Sequence, residues 1–241
     1  MPNVASHTEP QIGALPNAQP RRSRRKSARP GELLAAALDL FVEKGFAATR
    51  VEEVAARAGV SKGTLFLYFP SKEELFKAVV RENMSSRFAE WNDEFDRFEG
   101  STRDMLRHCL FSWWERLGTT KASGIPKLMM SEAQNFPELA SFYQHEVMQP
   151  AHALIQRILK RGVARGEFRP MDVTYGAYLV MAPMLFLALW QHSLGTCCGA
   201  QAQLNPQSYL AAQLDMLLYG FCAQSPLAST PRNVLPEQTP I

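Results

Sequence analysis

The fold of this chain is decided by residues 48–76, ATRVEEVAARAGVSKGTLFLYFPSKEELF. The first part of this stretch repeats small apolar residues at the i, i+3, i+4 and i+7 spacing of one helical face. These residues are Val51, Val54, Ala55 and Ala58. Gly59 follows them and can take the left-handed backbone that ends a helix. The pattern therefore predicts a helix of about two turns that ends in a glycine turn.

A second short helix is predicted directly after that turn. Ser61 is a natural N-cap, and Leu65 falls on the face that packs on the first helix. Pro70 stops this helix, and Ser71 with Glu74 has the capping-box spacing that starts another. Two short helices joined by a glycine turn are the layout of a helix-turn-helix, which favours double-stranded DNA as the partner.

The outward face of the second predicted helix is small and almost uncharged, as a helix that lies against base edges requires. Thr64 is placed to bond to a base edge, Leu67 to contact a thymine methyl group, and Lys62 to reach a guanine or a phosphate. Tyr68 and Lys72 flank this face as phosphate donors. The residues predicted to contact DNA are Thr49, Arg50, Ser61, Lys62, Gly63, Thr64, Phe66, Leu67, Tyr68 and Lys72.

Positive charge is concentrated at the same end of the chain. Residues 1–80 contain 12 Lys and Arg against 8 Asp and Glu, a balance of +4, whereas residues 81–241 contain 14 against 15, a balance of −1. The cluster RRSRRK at 21–26 lies in residues 1–29, which we expect to form a disordered arm that is either simply solvated or in contact with DNA. Paired short helices also occur in all-α proteins that never bind DNA, but this local basic field favours a phosphate-bearing partner.

These residues resemble the N-terminal DNA-binding domain of the TetR family of transcriptional regulators. The resemblance covers residues 31–80 and rests on ELLAAALDLFVEKGF (32–46), VEEVAARA (51–58) and GVSKGTLFLYFPSKEELF (59–76). It implies an all-α homodimer whose N-terminal domain binds a palindromic operator and whose larger C-terminal domain binds a small-molecule inducer. It also implies that most such regulators are repressors.

Two positions depart from the family pattern. The family often has tyrosine where this chain has Phe66, which removes a hydroxyl that could bond to DNA. It often has threonine or serine where this chain has Arg50. We therefore place the N-cap of the first helix on Thr49, which has the capping-box spacing to Glu52.

The rest of the chain predicts an all-α fold of about nine helices, since no strand pattern competes with the helical one. We expect a three-helix DNA-binding domain at residues 30–77, a helical bundle for ligand binding and dimerisation at 78–224, and a flexible tail at 225–241. One long helix is predicted from about residue 71 to the mid-90s. Another is predicted from Pro137 to about Arg165, with a bend at Pro150.

No Asp, Glu, Lys or Arg occurs between residues 173 and 214. The first part, VTYGAYLVMAPMLFLALW, is long enough to be weighed as a transmembrane helix. Pro183 at its centre and the charge-poor helix after it instead favour burial between subunits. Since the last two long helices of TetR-family subunits form the dimer's four-helix bundle, we predict a cytoplasmic homodimer joined by residues 171–222, with no membrane span. A charge in the middle of this stretch, for example at Leu187, is expected to break the dimer.

An inducer cavity is predicted in the C-terminal domain, because helices that the family arranges around a cavity carry many flexible and aromatic side chains. Such side chains suit a large apolar or planar ligand, although ordinary core packing is the alternative for any single one of them. The residues predicted to line the cavity are Trp113, Trp114, Met129, Met130, Phe136, Tyr143, Met184, Phe186 and Trp190.

Two other function classes compete with a ligand-responsive repressor. A helical-bundle enzyme is disfavoured because the chain contains no HExxH, no G-x-S-x-G and no Gly-rich phosphate loop. An architectural DNA-binding protein without an inducer has no use for so large an apolar C-terminal part. The four cysteines lack zinc-site spacing, so we predict neither a metal site nor a cofactor. These cysteines are Cys109, Cys197, Cys198 and Cys222.

Overall fold

A computed structural model describes residues 21–197 and 204–221, and the regular structure in these residues is entirely helical. The N-terminal part begins with three consecutive helices, α1 (Arg21–Lys44), α2 (Val51–Arg57) and α3 (Lys62–Tyr68). Helix α4 begins as Lys72–Val80, passes through a π-helical turn at Arg81–Ser85, and continues as Arg87–Arg97. The predicted long helix from residue 71 to the mid-90s is therefore confirmed.

The C-terminal part adds five helices. Helix α5 is Thr102–Trp113 with a π-helical end at Trp114–Gly118, and a 3₁₀ turn at Lys121–Gly124 leads into α6 (Ile125–Glu132). Helix α7 consists of Pro137–Tyr143, a π-helical turn at Gln144–Met148 and Gln149–Ala164. Helix α8 (Val173–Gln191) is followed by the single turn Leu194–Cys197 and by α9 (Pro206–Phe221). Nine helices thus account for the described residues, in agreement with the predicted fold class.

The π-helical turn of α7 ends just before the proline that was expected to bend this helix. Pro150 has no N–H group, so it cannot donate to the carbonyl of Glu146 in the α-helical ladder. A π-helical turn absorbs such a missing bond within a continuous helix. The predicted irregularity is present, but it occupies the turn before Pro150.

The N-caps predicted from the sequence are present at the start of α3 and of α4. The Ser61 hydroxyl accepts a hydrogen bond from the Thr64 N–H, and the Ser71 hydroxyl accepts one from the Glu74 N–H, both at 3.1 Å. Gly59 has φ of +66°, which is the left-handed conformation predicted for the turn between α2 and α3. Local sequence therefore fixes the helix-turn-helix geometry.

The basic cluster upstream differs from its prediction. Residues 21–29 form the first turns of α1, whereas an irregular arm was expected from their charge and polarity. Arg, Lys, Ala and Ser are compatible with a helix, and α1 continues through Pro30 into the apolar residues that anchor it. Residues 1–20 and the predicted tail at 225–241 lie outside the described residues.

Two clusters of buried side chains organise the chain. The first contains residues of helices α1, α2, α3 and α4, of α6 and of the start of α7. It includes a set of packed rings, in which the centre of the Phe76 ring lies 5.4 Å from that of Phe41 and 5.5 Å from that of Phe46. The second joins α5, the rest of α7, α8 and α9. The core of the DNA-binding part therefore continues directly into the C-terminal domain.

The uncharged helix α8 is part of the second cluster. By length and composition alone, Val173–Cys197 is the one segment in the described part of the chain that could cross a membrane, and core helices of other proteins pass the same test. Val180 and Leu187 are buried against their own chain, and the Gln213 amide of α9 donates to the Val180 carbonyl at 2.7 Å. One side of α8 thus serves as a core helix, while its other side remains uncovered.

Candidate DNA-binding surface and ligand cavity

Helix α3 exposes the face that the sequence predicted to meet DNA. Leu67 is 83% exposed, with Phe66 and Tyr68 exposed beside it, whereas Leu65 on the opposite face is completely buried. A leucine so exposed has no packing role within the chain. This face is one helix wide and free of neighbours, which suits insertion into a major groove.

Gly63 keeps the start of this face flat. A Cβ atom added there would meet the Ser61 hydroxyl oxygen at 3.8 Å, which is ordinary van der Waals contact. Packing within the chain therefore does not require glycine at this position. Glycine is instead suited to a close approach by another molecule's backbone or base edge.

Two of the side chains predicted to contact bases, Lys62 and Thr64, already have partners within the chain. The Lys62 ammonium lies 2.5 Å from the Glu52 carboxylate and lowers the pKa of that group through their hydrogen bond. The hydroxyl groups of Thr64 and Ser61 lie 2.9 Å apart. These contacts are exposed, and exposed ion pairs add little stability, so DNA can replace them.

Thr49 is not the N-cap of α2, and its side chain is not exposed to a DNA partner, which corrects the prediction. Its side chain is buried, and its hydroxyl lies 2.7 Å from the carbonyl oxygen of Gly45 and 3.1 Å from that of Leu40. The hydroxyl therefore satisfies carbonyls at the end of α1. Arg50 is the N-cap residue instead, without a capping side-chain bond, and its side chain is exposed beside the α2 N-terminus.

Lys72 also differs from its prediction as a free phosphate donor. Its ammonium donates to the carbonyl oxygens of Phe46 at 2.8 Å, Thr49 at 3.1 Å and Ala47 at 3.3 Å. It also lies 4.4 Å from the centre of the Phe46 ring. An ammonium has three protons, so all of them are used to tie α4 to the turn between α1 and α2. The other predicted DNA contacts remain predictions.

A cavity of about 250 Å³ lies in the C-terminal domain between α4, α5, α7 and α8. Most of its wall is aromatic or aliphatic. The larger apolar side chains in the wall are Phe88, Trp91, Phe95, Trp113, Met148, Ile155, Met181 and Met184. Concave apolar sites with few polar groups are the usual form of a small-molecule site.

The polar groups of the cavity lie mostly on one side, where α4 meets α5. Glu94 accepts from Arg116 at 2.5 Å and lies 3.2 Å from the His108 Nε2 atom. The Ser112 hydroxyl lies 3.4 Å from the same imidazole. Burial raises the pKa of the Cys109 thiol to about 12, with a smaller contribution from Glu94, so this thiol stays protonated.

Three of the nine predicted ligand contacts line this cavity, namely Trp113, Tyr143 and Met184. The other six do not line this cavity, and their role in ligand binding stays a prediction. Trp114 and Met129 are buried in the core clusters, Met130 and Phe186 are exposed at the surface, Phe136 packs edge-to-face on Phe46, and Trp190 packs beside Phe186.

Sequence reasoning missed the contribution of α4. Phe88, Trp91, Phe95 and Phe98 recur at i, i+3, i+7 and i+10, which is an aromatic stripe on one helical face. All four line the cavity. This stripe was visible in the sequence and could have identified α4 as a cavity wall.

The outer faces of α8 and α9 carry large apolar side chains that the single chain does not cover. They are Tyr175, Tyr178, Leu179, Phe186, Met216 and Tyr219. Single exposed apolar residues are common on proteins, but six such residues on two adjacent helices indicate an interaction surface. We call this set the α8–α9 face.

Two family models match separate parts of the chain. Residues 33–79 match the bacterial regulatory proteins of the tetR family, and residues 99–195 match the tetracyclin repressor-like C-terminal domain. The chain belongs to the TetR family. Members of this family are regulators of transcription.

Similar proteins match over different extents. The transcriptional regulator RutR of Escherichia coli (strain K12) is 53% identical over 62 residues, which are 26% of this chain and 29% of RutR. The match therefore spans less than a third of RutR. The transcriptional repressor KstR2 of Mycobacterium tuberculosis is 28% identical over 153 residues, or 62% of this chain and 75% of KstR2. The structure of FadR from Bacillus subtilis with stearoyl-CoA aligns with a TM-score of 0.58 at 17% identity, over 79% of this chain and 98% of FadR, which shows a shared fold.

Proposed function

We propose that this TetR-family member is a cytoplasmic repressor that binds a near-palindromic operator as a homodimer and is released by a small apolar or aromatic inducer. The observation that carries this proposal is the combination of an exposed α3 face with an apolar cavity in one continuous structure. Among the described residues, no group of three His, Cys, Asp or Glu could hold a metal ion.

The dimer is proposed to form through the α8–α9 face. A second copy of this chain fits that face because a twofold interface places the same apolar patch of both subunits in contact. The two α3 helices then read half-sites separated by about 34 Å or a multiple of this turn length. Each half-site would meet the Thr64 and Leu67 side chains, with Arg50 and Tyr68 toward the phosphates.

Substitutions on α3 test the proposed base contacts. We expect Thr64→Ala and Leu67→Ala each to change the preferred base at one position of each half-site and to weaken binding to the best sequence by about 1–3 kcal/mol. The melting temperature should change little, because both side chains make few contacts within the chain. Selection of operators from a random DNA library, followed by sequencing, measures the preference. Unchanged base preferences in both variants would rule out this contact scheme.

The proposed inducer class is tested by tryptophan fluorescence. Trp91 and Trp113 line the cavity, so an apolar or aromatic compound that enters it should quench their emission. The same compound should release operator DNA, and operator DNA should weaken its affinity by the same factor, since linkage between two sites is reciprocal. Naphthalene derivatives are suitable first probes. Release of DNA by a charged sugar phosphate, with no effect of any apolar compound, would contradict the proposal.

A further inference from the structure

The inner part of the cavity contains a polar group without a partner. Tyr143 is more than nine-tenths buried and lines the cavity from α7. Its hydroxyl forms no hydrogen bond with any of the described residues, whereas the other buried polar side chain of the wall, Ser112, contacts His108. A buried hydroxyl without a partner is unfavourable, and such groups in native structures call for an explanation.

The hydroxyl is suited to act as a donor. Burial raises the pKa of Tyr143 above its ordinary value, so the phenol keeps its proton at any physiological pH. The side chains that share the cavity wall with it are mostly apolar, including Val147, Met148 and Met184. The unused proton is therefore available to a ligand that fills this cavity.

The charges of the wall limit what that ligand can be. The described lining contains no Lys or Arg, and its one carboxylate, Glu94, is already neutralised by Arg116. Its one imidazole, His108, already lies 3.2 Å from the Glu94 carboxylate, so an anionic ligand would find no unpaired cation. A buried charge without a partner is strongly unfavourable. A neutral oxygen acceptor, by contrast, would satisfy the Tyr143 hydroxyl at no such cost.

We propose that Tyr143 recognises the ligand by donating a hydrogen bond to an uncharged carbonyl-type oxygen on an otherwise apolar or aromatic molecule. Tyr143 is then the residue that separates ketones and esters from plain hydrocarbons. This inference rests on the proposed function, since it takes the cavity to be the inducer site. It adds the chemical class of the ligand.

The test compares 2-acetylnaphthalene with 2-ethylnaphthalene, which have nearly the same shape but differ in the acceptor oxygen. Calorimetric titration of the full chain should show that Tyr143→Phe weakens binding of the ketone by about tenfold, the size expected for one buried hydrogen bond. The affinity for the hydrocarbon should stay unchanged. Melting temperature and operator affinity without ligand should remain at the wild-type level. The matched control is Ser112→Ala, because Ser112 also lines the cavity but its hydroxyl already contacts His108.

Each other result is decisive. If Tyr143→Phe lowers the affinity for both compounds equally, the residue contributes packing and not a hydrogen bond. If it lowers the affinity for neither, its hydroxyl does not contact the ligand. Both outcomes overturn the inference and leave the proposed function in place. If neither compound binds the wild type, the cavity is not the site for this class and the proposed inducer fails as well. Tighter binding of 2-naphthoate than of the ketone would overturn the neutral class.

Discussion

Replacing Leu179 with arginine is expected to produce a monomer that binds operator DNA at least about a hundredfold more weakly than the wild type, because the gain from joining two half-site contacts is lost. Leu179 is 62% exposed and belongs to the α8–α9 face. In the proposed dimer an arginine there would be desolvated without a partner, at a cost of several kcal/mol. The side chain faces outward, so the fold of the single chain should persist. Sedimentation at micromolar concentration and operator titration measure the two effects.

The matched control is Met130→Arg. Met130 is 63% exposed, almost the same as Leu179, but it belongs to α6 and is not part of the α8–α9 face. It should leave the dimer and operator affinity unchanged. A Leu179→Arg protein that still sediments as a dimer would show that this face is not the interface.

Leu187 is unsuitable for the same test, although the sequence placed it in the middle of the uncharged stretch. It is only 2% exposed and packs within its own subunit, so an arginine there would unfold the chain before it could report on the dimer. Helix α8 is apolar on nearly all sides, and periodicity therefore cannot distinguish the inner face from the outer one. Only the positions of α7 and α9 decide which residues remain exposed.

The helix-turn-helix was predictable because its signals are local. Caps at Ser61 and Ser71 and the turn at Gly59 depend on residues within one helical turn of each other. Thr49 was assigned wrongly as an N-cap, and the contacts of Lys72 within the chain were not predicted, because the partners of both side chains are carbonyl groups at the end of α1 and in the turn that follows it. The spacing of residues in the sequence does not reveal which polar side chain will donate a hydrogen bond to a buried carbonyl group.

The cavity was predictable in character but not in its residues. A surplus of Met, Trp and Phe indicated an apolar site, yet the same residue types also fill ordinary cores. Trp113 and Trp114 are adjacent in the sequence, but the first lines the cavity and the second is buried beside it. Their separation depends on how α5 is rotated against α7 and α8, which is a property of the whole packing.

A direct contact between the two functional parts suggests how the ligand acts on DNA binding. The Glu132 carboxylate at the end of α6 is buried and accepts a hydrogen bond from the Ala47 N–H at 3.0 Å, in the turn that precedes α2. Beside it, the Phe136 ring lies 4.7 Å from the Phe46 ring. Phe136 immediately precedes α7, and about two turns later the same helix presents Tyr143 to the cavity. One continuous element thus touches both the ligand site and the turn that carries α2.

Glu132→Ala is therefore expected to uncouple the ligand from the operator. Coupling between two sites is typically worth 1–3 kcal/mol, or roughly 5- to 150-fold in affinity, and in this variant the ligand-induced loss of operator affinity should fall to about twofold or less. Ligand affinity itself should stay close to that of the wild type, since Glu132 does not line the cavity. Glu132→Gln retains an oxygen acceptor for the Ala47 N–H and should keep most of the response. Operator titrations with and without 2-acetylnaphthalene measure the coupling. Glu138→Ala serves as the control, since Glu138 is an exposed residue in the first turn of α7. Full release of operator DNA by ligand in Glu132→Ala would show that the signal travels by another contact, such as the packing of α4 against the same cavity.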